Sequence, residues 1–272
     1  MELPEYGAEV FAPAHPGQSE RLEALGAACD PRTLADLARW PLPPGARCLE
    51  IGAGTGSVTR RLAERHPEAS FTVTDTDTRF LADLRHPAVR VVRHDVRDED
   101  FPPGSFDLVV ARSVLCHLPG RDLLPARMAA WLRPGGRLFV EDPTFLPAAS
   151  SPDTVVRRLG EAVVTTLART AGSDVAHWAR SFPAPLRGLG LVDVGMRFHC
   201  PVLTATNAAG RAWALSLEEL LPVMARTGVL SPEEGARAAA HVVRPGFTDV
   251  AHAMVAMWGA RPAGPGEGGK PW

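Results

Sequence analysis

"LEIGAGTGS" at Leu49–Ser57 decides the fold. A β-rich run from Cys48 to Ile51 ends in three closely spaced glycines, Gly52, Gly54 and Gly56, and a helical run opens at Ser57. Such a strand-to-helix turn lets backbone approach a ligand without a Cβ in the way, and the following helix offers its positive N-terminus. A dinucleotide fingerprint GxGxxG needs glycine at position 57, but Ser57 stands there and the spacing is GxGxG. Glu50 points the same way, because a carboxylate repels a pyrophosphate and complements a ligand amino group.

Outward from this loop, short β-rich runs alternate with helical ones, the pattern of repeated βα units around a parallel sheet. Strands are expected at Cys48–Ile51, Ser70–Thr74, Val89–Arg93, Phe106–Arg112 and in "RLFVE" after the turn Pro134-Gly135-Gly136. Helices are expected near 57–64, 78–84 and 122–132. Ahead of the sheet, Ser19–Cys29 predicts one helix, and a second is expected to open with Asp30 as N-cap and Pro31 at the first helical position.

The reading is an α/β fold: a Rossmann-like, seven-stranded, mostly parallel sheet with helices on both faces and a helical cap from the N-terminus and two insertions. Residues 1–45 supply the N-terminal helices and 46–142 the cofactor-binding core. A first cap insertion spans 143–180, a crossover helix and strand six 181–200, and a second insertion 201–248. Strand seven covers 249–261 and a Pro/Gly-rich flexible tail 262–272.

Composition narrows the function. Of 272 residues, 45% are hydrophobic, enough for a buried core, and 29 basic against 31 acidic residues give a net charge of −2. Nothing electrostatic invites a phosphate backbone, so no nucleic-acid partner is expected. Cys29, Cys48, Cys116 and Cys200 lack CxxC spacing. No apolar run approaches the roughly 18 residues of a membrane span, and the N-terminus lacks a signal pattern, so a cytoplasmic protein without membrane contact is expected.

Two further acidic positions complete a ligand site. Asp75, nineteen residues after Gly56, ends the second strand, where a carboxylate can accept both hydrogen bonds of a ribose diol. It is alternatively a helix cap, although Asp77 is better placed for that. Asp95 ends the third strand and can accept from an adenine amine, while the Val96 N–H can donate to a ring nitrogen.

In this order, and followed by "SFDLVVARSVLCHLP" and "LRPGGRLFVEDP", these elements resemble the class I S-adenosylmethionine-dependent methyltransferase family over Arg47–Asp142. "ERLEALGAACDPRTLADL" and "AMWGARP" resemble an actinobacterial small-molecule subgroup. The resemblance implies S-adenosylmethionine as cofactor. It places Glu50, Gly52, Ala53, Gly54 and Gly56 around the methionine end, Asp75 and Thr76 at the ribose, and Asp95 and Val96 at the adenine. Ala111 and Arg112 are then expected to flank the amino-acid part. Gln18 and Arg21 close over the cofactor carboxylate, unless Arg21 lies on a solvated helix face.

Methyl transfer asks the protein for alignment, exclusion of water and sometimes a base. His117, in the loop after strand four, is the candidate base, with a structural or cofactor-positioning role as the alternative. His177 in the first insertion either faces the substrate or is solvated. The histidines show no metal-ligand spacing, and no metal is expected. Phe11, Phe145, Trp178, Phe182 and Trp213 fall in segments able to roof a pocket, or simply pack.

The expected function is transfer of a methyl group from S-adenosylmethionine to an O, N or C nucleophile of a small molecule in specialised, natural-product metabolism. Alternatives are a cyclisation, decarboxylation or elimination with the same cofactor, a non-catalytic cofactor-binding partner protein, or a nicotinamide-dependent dehydrogenase. Oligomeric state is left open, a homodimer being one arrangement.

Overall fold

The computed structural model describes residues 6–264, so Met1–Glu5 and positions 265–272, most of the expected tail, lie outside the described residues. Five strands run parallel: β1 (Arg47–Ile51), β2 (Ser70–Asp75), β3 (Val89–Arg93), β4 (Phe106–Arg112) and β5 (Leu132–Thr144). After β6 (Val192–His199), a two-residue ribbon pairs β7 (Leu203–Thr204) with β8 (Thr248–Asp249). β9 (Ala253–Ala260) then inserts antiparallel between β5 and β6, giving the sheet order β3-β2-β1-β4-β5-β9-β6. The order reverses between β1 and β4, the switch point where open α/β sheets bind ligands.

Successive strand residues face opposite sides and seed two cores. Leu49, Ile51, Val109, Leu138, Val140 and Met257 join α3 (Leu124–Trp131), α5 (Thr154–Ala171) and α6 (Ala208–Arg226) on one face. Cys48, Phe71, Val73, Val110, Phe139 and Trp258 meet α1 (Gln18–Leu37) and α2 (Ser57–Arg65) on the other. Phe139 is fully buried in β5, an interior strand, and truncating such a side chain to alanine costs about 3–5 kcal/mol. The short α4 (Leu146–Ala149) follows β5, and α7 (Pro232–Val242) follows α6.

Three local expectations change. The two N-terminal helices are one, α1, which continues through Pro31. Asp30 does not cap a second helix; its carboxylate is held by Ser57 and Arg112 instead, and these contacts outweigh the proline's lost N–H. Between β2 and β3 only a 3-10 turn, Thr78–Leu81, forms, because Pro87 biases the chain ahead of it to extended conformation and leaves no room for a longer helix. Ahead of β6 the expected crossover helix is replaced by the 3-10 turns Ala179–Ser181 and Ala184–Leu186, interrupted by Pro183 and Pro185.

Candidate functional site

The glycine loop is fixed by its own chain. Gly52 has φ +61°, and a Cβ there would stand 2.4 Å from Val114 Cγ2; Gly56 has φ +69°, and a Cβ would stand 2.5 Å from Leu84 Cδ2. Neither position tolerates a side chain without strain. Thr59, in the first turn of α2, donates its N–H (3.0 Å) and hydroxyl (2.5 Å) to Glu50 Oε2. Burial pushes the Glu50 carboxyl up to about 7, opposed by Thr59 and Arg112.

Asp75 braces the loop from the neighbouring strand. Its Oδ2 accepts from the Gly54 N–H at 2.9 Å and its Oδ1 from the Asp77 N–H at 3.1 Å. Each oxygen keeps a lone pair for a ligand hydroxyl, and burial raises its pKa. Asp77 caps the 3-10 turn by accepting from the Arg79 N–H at 3.0 Å. Asp95 is gripped by the Arg97 guanidinium, with Nη2 2.6 Å from Oδ2, so a ligand amine would share that carboxylate.

Arg112, at the end of β4, pairs with Asp30 at 2.8 Å and donates to Thr33 Oγ1 at 3.1 Å. Thr33 in turn donates to Glu141 Oε2 at 2.5 Å, and Arg197 joins Glu141 to Asp36. This buried chain of charges fastens α1 across the strand ends. Arg21 is 3% exposed, so it does not lie on a solvated face. Its guanidinium sits 3.9 Å from the Phe11 ring centroid, its Nε donates to Gln18 Oε1 at 2.7 Å, and Glu219 of α6 is 3.4 Å away.

Beyond β4 the chain turns sharply at Ser113 (φ 56°), and Asp142 of β5 holds the turn. Its carboxylate accepts from the Val114 N–H (3.0 Å), the Cys116 N–H (3.2 Å) and the Trp178 indole N–H (2.8 Å). His117 follows, with Nδ1 2.9 Å from Ser173 Oγ and its ring stacked 4.1 Å from Tyr6. Burial, aided by Arg21 and Arg121, drives its pKa down to about 3. The imidazole is therefore neutral near pH 7.

A single cleft of about 1480 Å³ takes in most of these groups. Gln18, Arg21, Glu50, Gly52, Ala53, Gly54, Asp75, Thr76, Asp95, Val96, Arg112 and His117 all line it. Gly56 and Ala111 are not among the lining residues. Gly56 is the left-handed N-cap of α2 packed on Leu84, and Ala111 is buried in the core. His177 is not a lining residue either: its side chain is 79% exposed, 3.7 Å from Asp174. Phe145 and Trp213, both in inserted segments, do line the cleft, whereas Trp178 and Phe182 pack in the core. Sequence reasoning missed Asp142 and Ser173, whose contacts join residues far apart in the chain.

Residues 49–138 match the family described as a methyltransferase domain. A trans-aconitate 2-methyltransferase of Methylobacterium nodulans is 39% identical over 233 residues, covering 74% of this chain and 89% of that protein. This chain belongs to the class I S-adenosylmethionine-dependent methyltransferases. A trans-aconitate 2-methyltransferase of Deinococcus radiodurans is 32% identical over 160 residues, 57% of this methyltransferase and 61% of the relative's own length. The fold is also that of Haemonchus contortus phosphoethanolamine N-methyltransferase 2 solved with S-adenosyl-L-methionine, at TM-score 0.58 and 16% identity over 91% of this chain and 58% of that one. The methyltransferase's cofactor is S-adenosylmethionine, and Glu50, Asp75 and Asp95 bring three carboxylates to the cleft at or just beyond the ends of β1, β2 and β3. Among the described residues no helix is long and apolar enough to cross a membrane.

Proposed function

We propose that this methyltransferase acts on an oxygen, nitrogen or carbon nucleophile of a small molecule, in the specialised metabolism that its actinobacterial resemblance suggests. The observation that carries this reading is the continuity of the cleft. It runs from Asp75 and Asp95 at the strand ends to an apolar compartment walled by α5 and α6, both in inserted segments. A concave, mostly apolar compartment of this kind suits a small acceptor better than a polymer.

Glu50, Gly52, Ala53 and Gly54, with Gln18 and Arg21, receive the methionine end; Asp75 and Thr76 receive the ribose, and Asp95 and Val96 the adenine. When bound, S-adenosylmethionine supplies a methyl group already activated by its sulfonium. The chain's own work is alignment and the exclusion of water. Arg112 acts at one remove, keeping α1 seated over the cofactor end through Asp30 and Thr33. His117 orients the acceptor. In the tautomer whose Nδ1 donates to Ser173, its Nε2 carries a lone pair that accepts a hydrogen bond from the acceptor.

The test is to incubate the protein with S-adenosylmethionine and candidate acceptors and to quantify S-adenosylhomocysteine. Trans-aconitate is the first acceptor to assay, because both curated relatives carry its name. Stoichiometric S-adenosylhomocysteine and a product heavier by one methylene support methyl transfer. Conversion of an acceptor without S-adenosylhomocysteine overturns it in favour of another reaction on the same cofactor.

A further inference from the structure

Resting on the methyl-transfer reading, we propose that the compartment beyond His117 binds a planar, uncharged acceptor, and that His252, set beside the Phe145 and Trp213 pair, is the polar contact that selects it. The three rings come from the turn after β5, from α6 and from the approach to β9. The Phe145 centroid is 5.5 Å from Trp213 and 5.8 Å from His252, Trp213 and His252 are 6.3 Å apart, and no interplanar angle exceeds 33°. Three rings from separate elements, inclined to one another by 20° to 33°, gather in one part of the cleft, and their faces favour contact with a flat molecule. Val163 and Leu167 of α5 and Leu220 of α6 complete an aliphatic surround.

The imidazole Nδ1 of His252 is buried without a hydrogen-bond partner among the described residues. A buried polar atom left in this state costs free energy that a ligand hydroxyl or carbonyl would recover once the ring turns toward it. Burial, with a smaller effect of His199, pulls the His252 pKa down to about 4. The contact offered near neutral pH is thus an uncharged one.

Charge in the cleft argues against a polyanionic acceptor. Each of the five arginines lining it already faces a carboxylate or carbonyl. Arg97 holds Asp95, Arg112 holds Asp30 and Arg21 faces Glu219. Arg93 donates to the Thr76 carbonyl, and Arg121 to those of Leu118 and Gly172. Of their buried nitrogens, only the Arg21 Nη2 is without a hydrogen-bond partner among the described residues, so a tricarboxylate would gain at most that buried donor and would have to displace the other partners to be neutralised.

The test uses protein saturated with S-adenosylhomocysteine, whose binding is measured first by calorimetry. Failure at that stage counts against the methyl-transfer reading itself. The loaded protein is then titrated with 2-naphthol, naphthalene and citrate, followed by tryptophan fluorescence. 2-Naphthol is expected to bind at least 10-fold more tightly than citrate. His252→Phe, which keeps a flat ring, is expected to reduce the preference for 2-naphthol over naphthalene about 10-fold, and Trp213→Ala to weaken both. His252→Gln, which restores a polar group, should recover part of the preference; S-adenosylhomocysteine affinity reports folding in every variant. Citrate binding as tightly as 2-naphthol, no binding of either aromatic probe, or an unchanged preference in folded His252→Phe overturns the proposal.

Discussion

The Asp142 carboxylate accepts the Trp178 indole N–H at 2.8 Å while holding the backbone N–H groups of Val114 and Cys116. One buried side chain of β5 thereby joins the turn carrying His117 to the segment after α5. Burial pushes its pKa up to about 7, so the site accepts the cost of a carboxyl to gain three fixed donors. Asp142→Ala leaves those donors unsatisfied and should destabilise the fold by about 3 kcal/mol. Chemical denaturation measures this; a loss under 1 kcal/mol would show that the turn holds itself.

Asp75 carries both a loop contact and the proposed ribose contact. Asp75→Ala should lower S-adenosylhomocysteine affinity by about 1.5–3 kcal/mol, the range for hydrogen bonds to a charged group. Unchanged affinity by calorimetry would remove Asp75 from the cofactor site.

Gly52 couples backbone conformation to the His117 turn through Val114. Gly52→Ala meets both the positive φ and the 2.4 Å approach to Val114 Cγ2, and a loss of about 1–3 kcal/mol in stability is expected. Cofactor affinity should fall with it. A variant with wild-type melting temperature and affinity would mean that the loop relaxes without cost.

His117 supplies a pH signature. Its pKa is about 3 in the folded chain against about 6.5 when unfolded, so the unfolded state binds more protons between those values. The stability this group contributes is present above about pH 6.5 and is lost as pH falls toward 3. Lowering pH from 6.5 to 4.5 should therefore cost wild type about 2 kcal/mol more than His117→Gln. Parallel pH–stability curves for the two proteins would contradict the assignment.

Catalysis gives a separate reading of the same residue. His117→Ala should lower turnover at least 10-fold while leaving S-adenosylhomocysteine affinity within about twofold. Equal losses in both would assign His117 to cofactor positioning.

Much of the sheet was legible because its signal is local. Val89–Arg93 and Phe106–Arg112 form strands with the expected bounds, and the spacing of Glu50, Gly52, Asp75 and Asp95 followed from βα periodicity. What escaped was set by distant partners. Pro31 reads as a helix start until Ser57 and Arg112 are seen to hold Asp30. Arg21 reads equally as a surface or buried residue until Phe11 and Glu219 enclose it. Asp142 looks like the end of a strand motif, and only the fold brings Trp178, thirty-six positions away, to its side.

The two-residue ribbon of β7 and β8 places Leu203 opposite Asp249 and Thr204 opposite Thr248, so the hairpin of α6 and α7 leaves and rejoins the body at one point. It is thus a cassette with adjoining ends. Exchanging it for a helical hairpin of another length changes the closure entropy only slowly, by about 0.6 kcal/mol per doubling. Grafts joined at this ribbon, provided that they retain Glu219 opposite Arg21, should alter which acceptors are methylated while S-adenosylhomocysteine affinity stays near wild type. Loss of that affinity in a folded graft would show that the cassette and the cofactor end cannot diversify separately.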